Sequence, residues 1–166
     1  MDERLQGSFA DPEHDHTHCV TGAMASAETI CRIRGARLTD QRRRVLEVIW
    51  ESHVPIGAYE ILAALSSEEN VLAPPTVYRA LEFLQAHGLV HKIESLKAYV
   101  GCEHPGHDHV GQFLICQDCG NAAEIDDPAI DRAIQGRADA AGFSIAETTL
   151  EVRGLCPSCA PDQDPR

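Results

Sequence analysis

Residues 74–102 read PPTVYRALEFLQAHGLVHKIESLKAYVGC, and the fold turns on this stretch. Pro74 and Pro75 suit the first turn of a helix, where a missing N–H would be unpaired anyway. Val77, Ala80, Leu81 and Leu84 then fall at i, i+3, i+4 and i+7, one apolar stripe. Gly88 supplies the stop. Beyond it the period becomes that of strands. Leu89–Glu94 and Ala98–Cys102, joined by Ser95, Leu96 and Lys97, predict a hairpin. Thr76, Arg79 and Phe83 share another face of the helix, with Tyr78 beside them, and such side chains at a helix start suit the major groove of DNA.

Working upstream, Ala27, Ile30, Cys31 and Arg34 predict a first helix from about Met24 to Arg34, ended by Gly35. Thr39 is a good N-cap and Asp40 favours the first turn of a second helix. There Arg42, Val45, Leu46, Ile49 and Trp50 keep the helical period. Ala58, Ile61, Leu62 and Leu65 give a third, short helix. Helices followed by a hairpin form a winged helix-turn-helix domain, placed over residues 21–102. The link Ser66–Pro74 is longer than the tightest helix-turn-helix connection, and on pattern alone a small helical core with solvated arginines is the rival reading. Residues 1–20 hold Gly, Pro, Asp and His without periodicity and read as a mobile, acidic, His-rich tail.

Working downstream, Gln112–Cys116, Ala122–Ile125 and Ser144–Val152 read as strands, with a helix near Ala129–Ala141. These make a second, α/β domain over residues 103–160, before a frayed end at 161–166 that contains Pro161 and Pro165. The fold class is therefore α+β. No apolar run approaches a membrane span, and the acidic opening residues are not a secretion signal. Seven Cys in such a chain point to metal or redox chemistry, not to a disulfide scaffold.

The net charge of −12 argues at first against nucleic acid, but its distribution reverses that. The excess acid lies in residues 1–20 and 99–166, whereas residues 21–98 hold nine Lys or Arg against nine acids. Within that stretch Arg32, Arg34, Arg37, Arg42, Arg43 and Arg44 face only Asp40. Such a local excess can touch phosphate in an acidic chain.

Cys116-Gln-Asp-Cys119 and Cys156-Pro-Ser-Cys159 are two C-x2-C knuckles with 36 residues between them. Four thiolates at this repeated spacing can surround one tetrahedral zinc, a structural site that would stabilise a small domain. A thioredoxin-like motif wants one such pair, so two fit it poorly. Around the domain junction lie His91, Cys102, His104, His107, Asp108, His109 and Glu124. Two imidazoles, a thiolate and a carboxylate from this set would hold a second zinc, but spacing does not choose among them. His14-Asp-His16-Thr-His18-Cys19 is a third ligand-rich stretch, whose geometry the sequence leaves open. Cys31, on the apolar stripe of the first helix, reads as a core residue.

Arg37-Leu-Thr-Asp-Gln-Arg-Arg-Arg44, Pro74-Pro-Thr-Val-Tyr-Arg-Ala-Leu81, His91-Lys-Ile-Glu-Ser95 and the two knuckles together resemble the ferric uptake regulator family, most closely its zinc uptake regulator branch. The resemblance covers roughly residues 24–160. It implies a winged helix joined to an α/β dimerisation domain, one structural zinc on Cys116, Cys119, Cys156 and Cys159, and one regulatory zinc on His91, Cys102, His109 and Glu124. His104, His107 and Asp108 are possible additional ligands. Tyr78 and Arg79 match the pair on the DNA-reading helix, with Thr76 beside them, Arg37 a residue at the minor groove, and Tyr59 a backbone contact. Asp40 stands where the family commonly has Pro.

The resemblance thus implies a cytoplasmic homodimer that binds two-fold operator DNA when loaded with zinc and represses zinc-uptake genes, with no membrane and no small-molecule substrate. An iron, manganese or peroxide sensor on the same scaffold is the alternative. A zinc enzyme is not expected: H-E-x-x-H is absent, and Cys156-Pro-Ser-Cys159 lacks the flanking motif of the zinc deaminases.

Overall fold

The computed structural model describes residues 9–10, 14–67, 71–106 and 109–160. Four helices and a hairpin come first: α1 (His16–Ile33), α2 (Asp40–Trp50), α3 (Ala58–Leu65) and α4 (Pro74–Ala86), then β2 (Val90–Ile93) and β3 (Ala98–Gly101). A two-residue strand before α3, β1 (Ile56–Gly57), pairs antiparallel with β3, giving a sheet of order β1-β3-β2. The second half contains β4 (Gln112–Cys116), β5 (Ala122–Ile125), α5 (Pro128–Ala140) and β6 (Leu150–Gly154). Its sheet has the order β5-β4-β6, with β5 antiparallel and β6 parallel to β4.

The stripe on α4 is buried as its spacing predicts: Val77, Ala80, Leu81 and Leu84 pack against Val45, Leu46 and Ile49 of α2 and Ile61 of α3. Each such side chain removed from water contributes about 1.5–3 kcal/mol. At the end of α4, Gly88 takes φ +64°, so that Leu89 N–H bonds Leu84 C=O at 2.9 Å and Gly88 N–H bonds Gln85 C=O at 2.9 Å. That left-handed turn satisfies the last carbonyls of the helix and swings the chain directly into the hairpin.

Three expectations need correction. The first helix opens at His16 instead of about Met24, because Asp15 caps it by accepting Thr17 N–H at 2.9 Å. Residues 16–20 are therefore helical and not part of a tail; their turns carry no buried residue, which hid them from a search for apolar periodicity. The strand expected over 144–152 is confined to Leu150–Gly154, since its partner β4 is five residues long and offers nothing to residues before Leu150. The arginine cluster is partly engaged with its own chain. Arg42 lies 3.5 Å over the Phe83 ring, Arg43 pairs with Glu28 at 2.7 Å, and Arg44 donates to Leu65 C=O. The frayed end expected at 161–166 and most of residues 1–13 lie outside the described residues.

The hairpin presents two faces because neighbouring side chains in a strand point opposite ways. Val90 and Tyr99 join the helical core. Ile93 and Val100, on the other face, pack with Phe113, Ile115 and Ala122 of the second sheet. Gly101 closes β3 beneath the Trp50 indole, which a Cβ at that position would overlap. Gly101→Ala should thus destabilise the fold by about 1–3 kcal/mol through overpacking. Urea unfolding should show a lowered midpoint at unchanged slope; an unaltered midpoint would mean the indole moves aside freely.

Candidate metal centres and nucleic-acid interface

Parallel pairing of β4 with β6 brings the ends of both strands to one edge of the sheet, Cys116 opposite Gly154. The two knuckles follow from there. Gln117 N–H bonds Gly154 C=O at 2.8 Å, Cys156 N–H points at Cys116 Sγ at 3.4 Å, and Cys159 N–H bonds Cys156 C=O at 3.0 Å. The sulfurs of Cys116, Cys119, Cys156 and Cys159 all lie within 4.8 Å of one another. Cys119 Sγ and Cys156 Sγ are 3.8 Å apart. A tetrahedron with Zn–S bonds of about 2.3 Å has edges of about 3.8 Å, so the donor set fits zinc. Backbone N–H groups, Cys156 first and Cys119 next, draw the Cys116 thiol down to about 6 and prepare it as a thiolate.

A second donor set forms across the junction of the two sheets. His91 comes from β2, Cys102 from the residue after β3, Glu124 from β5, and His109 from the link leading into β4. His91 Nε2, Cys102 Sγ, His109 Nε2 and a Glu124 oxygen lie within 4.8 Å of one another. Glu124 Oε1 is 2.9 Å from His91 Nε2 and 2.6 Å from His109 Nε2, and Cys102 Sγ is 3.6 Å from His109 Nε2. His91 Nε2 is buried, held at ion-pair distance from the carboxylate with no hydrogen bond of good geometry. A ring nitrogen so placed beside a thiol and a carboxylate suits a cation with mixed N, S and O ligands. Gly111 allows this crowding, since a Cβ there would sit 3.1 Å from His91 Nδ1 and press on the Phe113 ring.

The charges are set by burial. Glu124 is 5% exposed. Burial alone would raise its carboxyl, but the His91 ring, the Glu103 amide and the His109 ring hold it at about 2, so it is ionised. Burial, followed by the Glu124 charge, pushes the Cys102 thiol up to about 12, so it keeps its proton. A metal entering this set displaces that proton.

Of the three further candidates, His104 is exposed with its ring 6.4 Å from that of His109, outside the convergent group. His107 and Asp108 lie outside the described residues. Sequence reasoning missed Glu151 on β6. Its carboxylate accepts Glu94 N–H at 2.6 Å and Ser95 N–H at 3.2 Å, fastening the hairpin tip to the second sheet. A lone Glu in a strand carries no signal of this in the sequence.

On the nucleic-acid side, α4 presents Tyr78, 40% exposed, and Arg79 on its outer surface, with Thr76 half-buried. Tyr59, at 70% exposure, stands on α3, and Arg37 is exposed ahead of α2.

A four-helix winged domain and a cysteine-knuckle sheet sharing a His-Cys-His-Glu junction define a class of metal-dependent regulators. The chain belongs to the ferric uptake regulator family, whose sequence model matches residues 33–153. A zinc uptake regulation protein of Escherichia coli (strain K12) is 38% identical over 139 residues, 82% of this chain and 80% of that protein. The crystal structure of holo XcZur is similar at 44% identity with a TM-score of 0.76, covering 84% of this chain and 96% of that one. A zinc uptake regulator complexed with zinc and DNA is similar at 35% identity and a TM-score of 0.77, covering 88% and 95%. Apo XcZur, at 43% identity over 86% and 98%, reaches only 0.50.

The Cys102 proton sets a pH dependence. Metal affinity at the junction site should rise about tenfold per pH unit across the neutral range, because binding expels a proton that the free thiol holds up to about 12. Zinc competition titrations at several pH values check this; a flat profile would mean that Cys102 gives up no proton.

Proposed function

We propose that the chain is a cytoplasmic, zinc-responsive transcriptional repressor of zinc-uptake genes that binds two-fold operator DNA as a homodimer. The observation that carries this reading is the convergence of His91, Cys102, His109 and Glu124 from hairpin, hinge and second sheet. Zinc, when bound, supplies a four-coordinate tie among these residues. His91 moves with the winged domain, while Glu124 belongs to the second sheet and His109 to the link that enters it, so holding them together fixes the angle at which α4 is presented. Moving such an equilibrium from 1:99 to 99:1 needs about 5.5 kcal/mol of differential binding. The likeness to holo and zinc- and DNA-bound relatives over the apo form supports the described arrangement as the DNA-competent one.

Residues 21–102 act as the DNA-binding domain and 103–160 as the dimerisation and metal-binding domain in this reading. Cys116, Cys119, Cys156 and Cys159 hold the structural zinc. Tyr78, Arg79 and Thr76 meet the major groove, Arg37 the minor groove and Tyr59 the backbone. Dimerisation is supported by α5, which buries no residue within the chain, and by Phe143 and Leu155, exposed at 66% and 52%. Among the described residues β6 pairs only with β4, leaving its other edge open to a partner.

The choice of zinc over iron or manganese rests on the Cys102 thiolate, a soft donor. A peroxide sensor built on Cys102 is disfavoured, since a buried thiol held up to about 12 is a poor nucleophile. An enzyme is disfavoured because both donor sets offer four protein ligands and no open position.

Operator binding titrated against buffered free zinc, ferrous iron and manganese tests the assignment. Binding should switch on with zinc after one zinc per chain is already held, and Cys102→Ser should abolish the switch while keeping that first zinc. An iron- or manganese-driven switch would overturn the sensed metal, and an unchanged zinc response in Cys102→Ser would remove Cys102 from the site. Arg79→Ala should weaken operator binding by about 1–3 kcal/mol and relax specificity at one base position, as measured by equilibrium binding to single-base operator variants.

A further inference from the structure

Three histidines and a cysteine gather far along the chain from either donor set above. Asp15 caps α1 and turns the chain so that His14, just before the helix, lies beside His16 and Cys19 in its first turns. His53, in the link between α2 and β1, completes the group. His53 Nε2 is 3.1 Å from His14 Nε2, which is 3.3 Å from Cys19 Sγ. The ring centroids of His14, His16 and His53 are 4.3, 4.9 and 5.1 Å apart. One donor atom from each of the four residues lies within 4.8 Å of all the others.

A bare stack of imidazoles accounts poorly for this. His14 Nε2 faces a ring nitrogen and a sulfur at once, and His16 Nδ1 is buried with no hydrogen-bond partner. Protonated rings at these separations would repel one another; a cation at the centre would satisfy every lone pair. The N···N and N···S separations of 3.1 and 3.3 Å fall slightly short of the roughly 3.3–3.6 Å edges of a tetrahedron with Zn–N bonds of about 2.0–2.1 Å and a Zn–S bond of about 2.3 Å, a set that a small outward adjustment would open to fit the ion. We infer that His14, His16, Cys19 and His53 form a third metal site, a closed set of three imidazole nitrogens and one thiolate sulfur for a borderline-soft divalent ion such as zinc.

The site has a task that its position defines. It would tie the start of α1 to the link that carries His53, and that link is where the second sheet docks: Ala122 N–H at the start of β5 bonds His53 C=O at 3.0 Å. Val54 lies against Gly120 in the first cysteine knuckle. Glu124 is two residues beyond Ala122 on the same strand. A metal at the third site therefore steadies the surface against which the junction ligands are held, and by linkage each of the two sites strengthens the other. This coupling rests on the junction site being a metal site; the third site itself does not.

The test is zinc counted per chain by native mass spectrometry on the full-length protein, stripped and reloaded with zinc in slight excess. The expected count is three for the parent and two for both His53→Ala and Cys19→Ser. Cys102→Ser should also read two, and Cys102→Ser combined with His53→Ala should read one. Hydrogen exchange gives a second readout: zinc should slow the amides of residues 17–20 at least tenfold in the parent and leave them unchanged in His53→Ala. A parent count of two, or three retained in both His53→Ala and Cys19→Ser, would overturn the site. A count unaffected by Cys102→Ser would instead count against the junction site and leave this one standing.

Discussion

Two short strands belong to two cores at once. In the hairpin of β2 and β3, Val90 and Tyr99 complete the helical core while Ile93 and Val100 complete the core of the second sheet. A slip of one residue in the pairing of His91 with Val100 would exchange the two faces and dismantle both cores together. The same alternation decides where the ligands go. His91 shares a face with Ile93, and Cys102 follows Val100 by two residues, so both point at the second sheet and meet Glu124 and His109 there. Position and chemistry at the junction are consequences of one strand register.

The electrostatics of the junction follow from that placement. A carboxylate nine-tenths buried is costly unless hydrogen-bonded or paired. Glu124 is compensated by two imidazoles and the Glu103 amide, with no Lys or Arg among its described ion pairs. The four-cysteine site is arranged differently: backbone N–H groups of its own knuckles favour the thiolate at Cys116.

Much of this was legible in the residues. The α4 stripe of Val77, Ala80, Leu81 and Leu84, the stop at Gly88 and the change of period after it located the winged domain, because burial on one face leaves a strong periodic trace. The knuckles were equally plain, since a C-x2-C pair is its own geometry. The start of α1 was hidden because its first turns bury nothing and depend on the Asp15 cap. β1 is two residues long and has no period to read. The junction ligands could not be chosen from spacing alone, because His91 and Glu124 are brought together by sheet packing between distant elements; the family resemblance chose them. His53 left no trace at all, for nothing local connects it to His14, 39 residues earlier.

The parallel pairing of β4 with β6 also imposes an order of events on a chain made from its N-terminus. Cys116 and Cys119 leave the ribosome nearly forty residues before Cys156 and Cys159, and β4 must wait as long for one of its two neighbours. The four helices and the hairpin are complete well before then. During synthesis the winged domain can therefore fold first, holding Ile93 and Val100 outward as a ready template, while two early thiols stand without their partners. Until the last knuckle is made, the second sheet lacks one strand and the donor set lacks two of its four sulfurs.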